Sequence, residues 1–90
     1  MRTLRYTGQF KKDLKRFLNQ PKKLHALNDV LDKLKKEEVL PKKYREHDLH
    51  GEYEGCLECH IESDFLLIWF NEEANTIALL RLGSHSELFG

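Results

Sequence analysis

Residues 65–82 read Phe-Leu-Leu-Ile-Trp-Phe-Asn-Glu-Glu-Ala-Asn-Thr-Ile-Ala-Leu-Leu-Arg-Leu, and this stretch decides the fold. Two apolar runs, Phe65–Phe70 and Ile77–Leu80, flank a polar segment, 71–75, with the composition of a tight turn. The pattern predicts a β-hairpin. The first run is apolar at every position, which is typical of a central strand that is covered on both faces.

The hairpin should bring four chemically useful side chains to one edge of the sheet. His60 and Asp64 precede its first strand, and Arg81 and His85 follow its second. A metal-free nuclease that uses the RNA 2′-hydroxyl as nucleophile needs a base, an acid and a cation for the phosphate, and imidazole and guanidinium groups supply these. We therefore predict a phosphodiester-cleaving site, although Asp64 could instead cap a turn and His85 could instead pack the terminus.

The chain before the hairpin contains a short strand and two amphipathic helices. Residues 3–7 alternate as a strand does, Gly8 interrupts them, and Pro21 suits the first turn of the second helix. The apolar stripes of the two helices are Phe10, Leu14, Phe17 and Leu18, and Leu24, Leu27, Leu31 and Leu34. They predict an antiparallel helical hairpin.

Three strands follow a loop at residues 41–55, and they are predicted near residues 56–62, 65–70 and 76–82, with Ser84 capping a short C-terminal turn. Strand alternation places Cys59 towards the core and Glu58 and His60 together on the open face. We thus expect one α+β domain, residues 1–90, with the N-terminal strand and helical hairpin packed on a mainly antiparallel sheet.

The charges are unevenly distributed along the chain. Residues 1–43 contain 13 Lys or Arg and 5 Asp or Glu, whereas residues 44–90 contain 2 and 10. This separation indicates either two functional faces, one of them for nucleic acid, or two ordinarily solvated helices. On the first interpretation the RNA-contacting cations are Lys11, Lys12, Lys15, Arg16, Lys22 and Lys23.

The sequence lacks an apolar run of the ~20 residues that a membrane span needs, and its N-terminus has no apolar segment of signal-peptide length. We therefore expect a cytoplasmic protein with reduced cysteines and no membrane partner.

Residues 56–60, Cys-Leu-Glu-Cys-His, match the haem-attachment pattern C-x-x-C-H. On a strand the two thiols point to opposite faces, which argues against haem. A zinc site made of Cys56, Cys59 and His60 with His47 or His50 has the same defect. We favour Cys59 as a small core residue and expect no metal or cofactor.

Three segments carry a family resemblance that covers essentially the whole chain. They are 47–55 (HDLHGEYEG), 59–69 (CHIESDFLLIW) and 81–89 (RLGSHSELF). The chain resembles the RelE/ParE superfamily of toxins from bacterial toxin–antitoxin pairs, and within it the YafQ-type ribosome-dependent mRNA interferases. The resemblance implies a RelE-like fold. The chain differs from many members of the family at Phe65, where Trp is frequent, and at Leu57, where Arg is common.

The resemblance also implies an endoribonuclease that cleaves mRNA in the ribosomal A site without a metal. Its partners would be a cognate antitoxin, mRNA and ribosomal RNA. It implies catalytic roles for His47, His60, Asp64, Arg81 and His85, a stacking role for Phe89 and a secondary role for Glu58.

Within this set we expect His85 to act as the acid. We expect His60, paired with Asp64 or Glu58, to act as the base, a role that His47 could share. Because Arg81 and His85 are expected outside the core, their replacement by alanine should leave the fold intact. Two alternatives remain, a ParE-like inhibitor of DNA gyrase and a non-enzymatic, zinc-dependent binding module.

Overall fold

The computed structural model describes residues 1–90 and consists of a five-stranded sheet with two helices on one face. The elements are β1 Thr3–Tyr6, α1 Gly8–Lys15, α2 Pro21–Lys35, β2 His47–Asp48, β3 Leu57–Glu62, β4 Phe65–Glu72, β5 Thr76–Gly83 and α3 His85–Phe89. The strand order is β1-β5-β4-β3-β2, and every pairing except the parallel β1/β5 pair is antiparallel. The predicted α+β architecture is confirmed.

The β4/β5 hairpin lies at the centre of the sheet, as its sequence predicts. Glu72 pairs with Thr76 across a three-residue turn, in which Ala74 and Asn75 have φ of 58° and 59°. Residues 65–69 are buried, which confirms that this part of the strand is covered on both faces, whereas Phe70, the last residue of the apolar run, is 41% exposed.

The main core lies between the sheet and the helices. Phe10 on α1 and Val30 on α2 are completely buried against Cys59, Leu67 and Leu79 of the sheet. The helix α1 ends at Lys15, earlier than its apolar stripe predicts, because the next residues form tight i→i+3 bonds, Arg16 to Asp13 and Phe17 to Leu14, ahead of Pro21. Leu18 is consequently 61% exposed. None of the helices is long and apolar enough to cross a membrane.

The loop predicted at 41–55 contains a strand that sequence periodicity did not reveal. The two-residue strand β2 pairs His47 with Glu58 and Asp48 with Leu57 of β3. This pairing corrects the expectation that Glu58 lies on an open face, because β2 and its side chains cover Glu58 and leave it only 4% exposed.

A β-bulge near the end of β5 changes the direction of its side chains. Ile68 pairs with Arg81 and Trp69 with Leu79, so that Leu80 is the extra residue. Leu79 and Leu82 both pack in the helix-side core, whereas Leu80 packs on the opposite face. The bulge leaves Arg81 at the end of the sheet, where it meets both α1 and the loop before β3.

Candidate active site

Arg81 is held by a buried carboxylate on the first helix. Its Nε donates to Asp13 Oδ2 at 2.8 Å and its Nη2 to Asp13 Oδ1 at 3.3 Å. Asp13 is fully buried and also accepts hydrogen bonds from the Leu82 backbone N–H, at 2.9 Å, and from Gln9 Nε2, at 3.0 Å. The pair therefore ties α1 to the last turn of β5.

The electrostatics of this pair favour two charged groups. Burial by itself would raise the pKa of Asp13, but the hydrogen bonds from Arg81, Leu82 and Gln9 outweigh it and lower that pKa. The hydrogen bond to Asp13 in turn raises the pKa of Arg81. Asp13 is therefore a carboxylate at neutral pH, stabilised by hydrogen bonds from Arg81, Leu82 and Gln9.

Sequence reasoning missed Asp13, and it misjudged Arg81 as a consequence. The expectation that alanine at Arg81 leaves the fold intact stays untested, but the structure argues against it, because that substitution would remove the main partner of a fully buried carboxylate. The sequence contains one signal that could have identified Asp13. Asp13 lies three residues after Phe10 and four before Phe17, so a charged residue interrupts the apolar stripe of the helix.

The short helix α3 presents His85 at the same end of the sheet. Ser84 accepts from the Glu87 N–H at 3.2 Å, and Glu87 Oε1 accepts from the Ser84 N–H at 2.8 Å, which is a capping box. The backbone N–H of His85 donates to Asp64 Oδ1 at 2.9 Å. Asp64 therefore fixes the helix that carries His85.

Phe89 and Tyr53 connect this helix to Arg81. The Phe89 ring lies 5.7 Å from Tyr53, edge to face, and 5.0 Å from His85, between centroids. The Tyr53 hydroxyl accepts from Arg81 Nη1 at 3.1 Å. Phe89 is 42% exposed, so part of its ring is free to stack on a base.

A second group, here named the histidine–glutamate cluster, consists of His47, Glu58 and His60. His47 Nε2 lies 3.0 Å from Glu58 Oε1, and the His47 and His60 ring centroids are 6.0 Å apart. His47 Nδ1 lies 2.7 Å from the Arg45 carbonyl oxygen, which can only accept, so Nδ1 carries a proton. The other Glu58 oxygen, Oε2, is buried without a hydrogen-bond partner.

This arrangement corrects the expected pairing of His60. Asp64 accepts a hydrogen bond from the His85 backbone, and Glu58 Oε1 lies 3.0 Å from His47 Nε2. Neither expected carboxylate is hydrogen-bonded to His60. Strand register, which the sequence does not reveal, decides the partner, because β2 places His47 directly opposite Glu58.

The cluster and the Arg81 end lie on one row across the sheet. His47, Glu58, Ile68 and Arg81 are successive register partners on β2, β3, β4 and β5. Neighbouring strands are about 4.8 Å apart, so the Glu58 and Arg81 backbones are separated by roughly 10 Å. Ile68, between the two groups, is fully buried and packs with Cys56, Leu66 and Leu88.

The cysteines take no part in this arrangement. Cys59 packs in the helix-side core, and Cys56 packs on the opposite face with Leu66 and Ile68, as strand alternation predicts. Burial, with the negative charges of Glu46 and Glu58, raises the pKa of Cys59 to about 12. The cysteine-based zinc set is not brought together.

The cations of the first helix divide into two kinds. Lys11, Lys12 and Lys15 are exposed and have no hydrogen bond or ion pair. Arg16 instead lies 3.4 Å from Asp13 and from Glu87, so it belongs to the buried carboxylate network. Only the lysines present unpaired charge to a polyanion.

Comparison with known proteins agrees with this architecture. Residues 2–90 match the family model of the YafQ toxin, a bacterial toxin of type II toxin–antitoxin systems. The mRNA interferase toxin YafQ of Escherichia coli K12 is 31% identical over 90 residues, covering 99% of this chain and 97% of that protein.

Solved structures give the same result. A metal-bound toxin from Helicobacter pylori is 40% identical with a TM-score of 0.89, covering 99% of this chain and all of that one. The toxin chain of the E. coli DinJ–YafQ complex is 31% identical with a TM-score of 0.85 over the whole of both chains. The chain belongs to the YafQ family of bacterial toxins from type II toxin–antitoxin systems.

Proposed function

We propose that the protein is an endoribonuclease that cleaves mRNA in the ribosomal A site. The 2′-hydroxyl attacks the adjacent phosphate, the bond from phosphorus to the 5′-oxygen breaks, and a 2′,3′-cyclic phosphate and a 5′-hydroxyl result. The observation that supports it is the row of register partners that runs from His47 through Glu58 and Ile68 to Arg81, with His85 on α3 directly after β5. The E. coli relative named an mRNA interferase supports the substrate class.

His85 is the proposed acid, which gives its proton to the leaving 5′-oxygen. Its side chain is exposed, while its backbone is fixed by Asp64 and by the Ser84 cap. Phe89, one helical turn further on, would stack on a base and hold the scissile phosphate near His85. The helix thus combines proton transfer with positioning of the substrate.

The proposed base is His60, and the His47–Glu58 pair beside it assists. His47 Nε2 lies 3.0 Å from Glu58 Oε1, so the carboxylate is placed to stabilise positive charge on that imidazole. His60 has no hydrogen bond to either carboxylate, so its ring is free to accept the 2′-hydroxyl proton.

Arg81 is the proposed cation for the phosphate. A guanidinium has five N–H donors, and three of them are bound by Asp13 and Tyr53. Two remain for phosphate oxygens, and the bound three hold the group in a fixed orientation. Such fixed donors stabilise charge that develops in a transition state.

Two macromolecular partners belong to the proposal. Lys11, Lys12 and Lys15 would contact ribosomal RNA backbone, which adds salt-dependent affinity without sequence preference. A cognate antitoxin is the second partner, since the E. coli relative was crystallised as a DinJ–YafQ complex. We expect the antitoxin to cover the helical hairpin and part of the sheet edge near Arg81 and His85.

The test is cleavage of mRNA on programmed ribosomes, with and without excess chelator. Since a relative was crystallised as a metal-bound toxin, the metal content of the purified protein is measured in parallel. His85→Gln and His60→Gln should each slow cleavage by about 10²–10⁴-fold. His25→Gln is the matched control, because His25 is 82% exposed on α2, away from the site.

Undiminished cleavage by both site variants would overturn the assignment, and complete loss of wild-type cleavage in chelator would overturn the metal-free mechanism. Inhibition of DNA gyrase without cleavage of any RNA would identify the protein as a ParE-like gyrase inhibitor instead.

A further inference from the structure

We propose that Arg16 is a positioning residue for RNA cleavage, which fixes α3, and with it the His85 imidazole, relative to Arg81. This role differs from the contact with RNA backbone that the charge pattern of the sequence predicts for Arg16. The catalytic part of the inference rests on the proposed function, whereas the structural part, that Arg16 holds α3 in place, does not.

The Arg16 guanidinium contacts three elements at the end of the sheet where the proposed site lies. Its Nη2 donates to Asp13 Oδ1 on α1 and to the Leu82 carbonyl on β5, each at 3.4 Å. Its Nε lies 3.4 Å from Glu87 Oε2 on α3. Arg16, the C-cap residue of α1, therefore links α1 and β5 to α3.

The connection from Arg81 to α3 is held by side chains from the first helix and its C-cap. The Leu82 N–H donates to Asp13 Oδ2 at 2.9 Å, and the Leu82 carbonyl accepts from Arg16 Nη2. α3 begins three residues later. Because the connection is short, contacts at Leu82 and at Glu87 together leave α3 little freedom to move relative to β5.

The helix α3 depends on such external contacts for its orientation. It has five residues, and isolated helices shorter than about 12 residues are marginal in water. Buried Leu88 packs it against the sheet, and Asp64 accepts from the N–H of its first residue. Arg16, through Glu87, connects it to α1. Loss of this last contact should allow the helix, and the imidazole on it, to move.

The packing leaves no room for a side chain between Arg16 and Glu87. A Cβ atom at position 83 would lie 2.8 Å from Glu87 Oε1 and 3.2 Å from Arg16 Nη2. Gly83 occupies this position, and its lack of a side chain permits the close approach of the two charged groups.

Arginine suits this role better than lysine. The partner on α3 is charged at neutral pH, because the hydrogen bond from the Ser84 backbone lowers the pKa of Glu87 and the charge of Arg16 lowers it further. A guanidinium is planar with diverging donors, so Arg16 contacts Glu87 through Nε while its Nη2 contacts Asp13. A lysine ammonium would keep the charge but would not provide this fixed fork of donors.

The kinetic test separates positioning from binding of RNA backbone. Cleavage on programmed ribosomes is measured for Arg16→Gln at several salt concentrations, which gives kcat and KM. We expect kcat to fall about tenfold, since a small displacement of a catalytic group slows a reaction strongly, while KM and its salt dependence stay as in wild type. Lys15→Gln is the contrasting variant, because Lys15 is exposed without an ion pair, so its KM should rise and the salt slope should decrease. Arg5→Gln is the matched control, since it removes the exposed ion pair with Glu72 and should cleave as wild type does.

Two further variants test whether Arg16 acts through Glu87. Glu87→Gln keeps an oxygen that can accept from the Ser84 N–H but loses the charge that faces Arg16. It should lower kcat, and the double variant with Arg16→Gln should be no slower than Arg16→Gln alone. Arg16→Lys should recover only part of kcat, whereas a residue that contributes only charge towards RNA would be replaced by lysine with little loss.

A structural readout does not depend on cleavage. In Arg16→Gln the ¹⁵N order parameters of the α3 amides, such as that of Leu88, should fall from the rigid value of about 0.85 towards 0.6, while those of β5 stay unchanged. Because the Arg16 side chain is 44% exposed, the urea midpoint should stay close to that of Arg5→Gln, so unfolding would not explain the loss of cleavage.

Unchanged kcat in Arg16→Gln would overturn the positioning role, and so would a raised KM with the weaker salt slope of Lys15→Gln. A double variant in which the two losses multiply would also overturn it, because Arg16 and Glu87 would then act separately. If wild type cleaves no RNA, the proposed function fails, and the order parameters of α3 still decide whether Arg16 holds this helix.

Discussion

Replacing Arg81 by alanine should cost the fold a large part of its stability, although Arg81 lies in the proposed site. The substitution removes two hydrogen bonds to Asp13 and one to Tyr53. The fully buried Asp13 carboxylate then keeps only the Leu82 N–H, Gln9 Nε2 and, at 3.4 Å, Arg16 Nη2 as partners. Breaking a buried ion pair by removing one partner costs about 3–5 kcal/mol. For a domain of this size that corresponds to a fall in Tm of roughly 12 °C or more.

The assay is urea unfolding followed by circular dichroism. With a slope of about 1–3 kcal/mol/M, the midpoint should fall by at least about 1 M. Arg5→Ala is the matched control, because Arg5 bonds Glu72 at 2.9 and 3.1 Å with a similar geometry but is 54% exposed. A surface pair of this kind is worth about 0–1 kcal/mol. The double variant Asp13→Asn with Arg81→Ala should recover part of the loss, because no buried charge remains.

The pH dependence provides a second readout with a definite sign. In wild type, folding lowers the pKa of Asp13. The ionised Asp13 therefore contributes to the free energy of unfolding above the ordinary carboxyl pKa of about 3.9, and this contribution is lost as pH falls through the pKa of the folded state. In Arg81→Ala burial dominates and raises that pKa, so stability should increase as pH falls through it. The reasoning is refuted if Arg81→Ala loses no more stability than Arg5→Ala, or if both proteins weaken alike in acid.

Three further predictions concern other parts of the site. Phe89→Leu should weaken binding of single-stranded RNA by about 1–3 kcal/mol, measured by fluorescence anisotropy, and unchanged affinity would remove the stacking role. Ser84→Ala should lower stability by about 1 kcal/mol in urea unfolding through loss of the capping box, and it should slow cleavage as α3 loosens; a variant with wild-type stability would contradict the cap. Neither Cys56 nor Cys59 should react with iodoacetamide in the folded protein at pH 7.5, while both should react in 8 M urea, because both are buried with raised pKa values; rapid native labelling at Cys59 would contradict its place in the core.

The architecture is largely readable from local patterns. The apolar run of β4 and the turn after it identify a central hairpin, and apolar spacing identifies both helices, because these signals repeat over many residues. The two-residue strand β2 is too short to show any period. It becomes visible only when β3 is present to pair with it.

The candidate site is less readable, since it depends on side chains from distant segments. The sequence predicts that Asp64 and His85 lie at one edge of the sheet, and in the structure the two residues are joined by a hydrogen bond from the His85 backbone. The placement of His47 rather than His60 beside Glu58 depends on the register of β2 against β3. Asp13 lies 68 residues from Arg81, and no local pattern links two such positions.

The position of β5 in the sheet has a consequence for synthesis of the protein. β5 lies between β1 and β4, so Thr3, near the start of the chain, cannot form its strand pairing until Thr76 has been synthesised. Until Arg81 is translated, the Asp13 carboxylate lacks its main cation and is costly to bury. A nascent chain that has not reached Arg81 therefore lacks both a closed sheet and the arginine that we propose for phosphate binding, so neither the sheet nor the proposed site can form before β5 has been made.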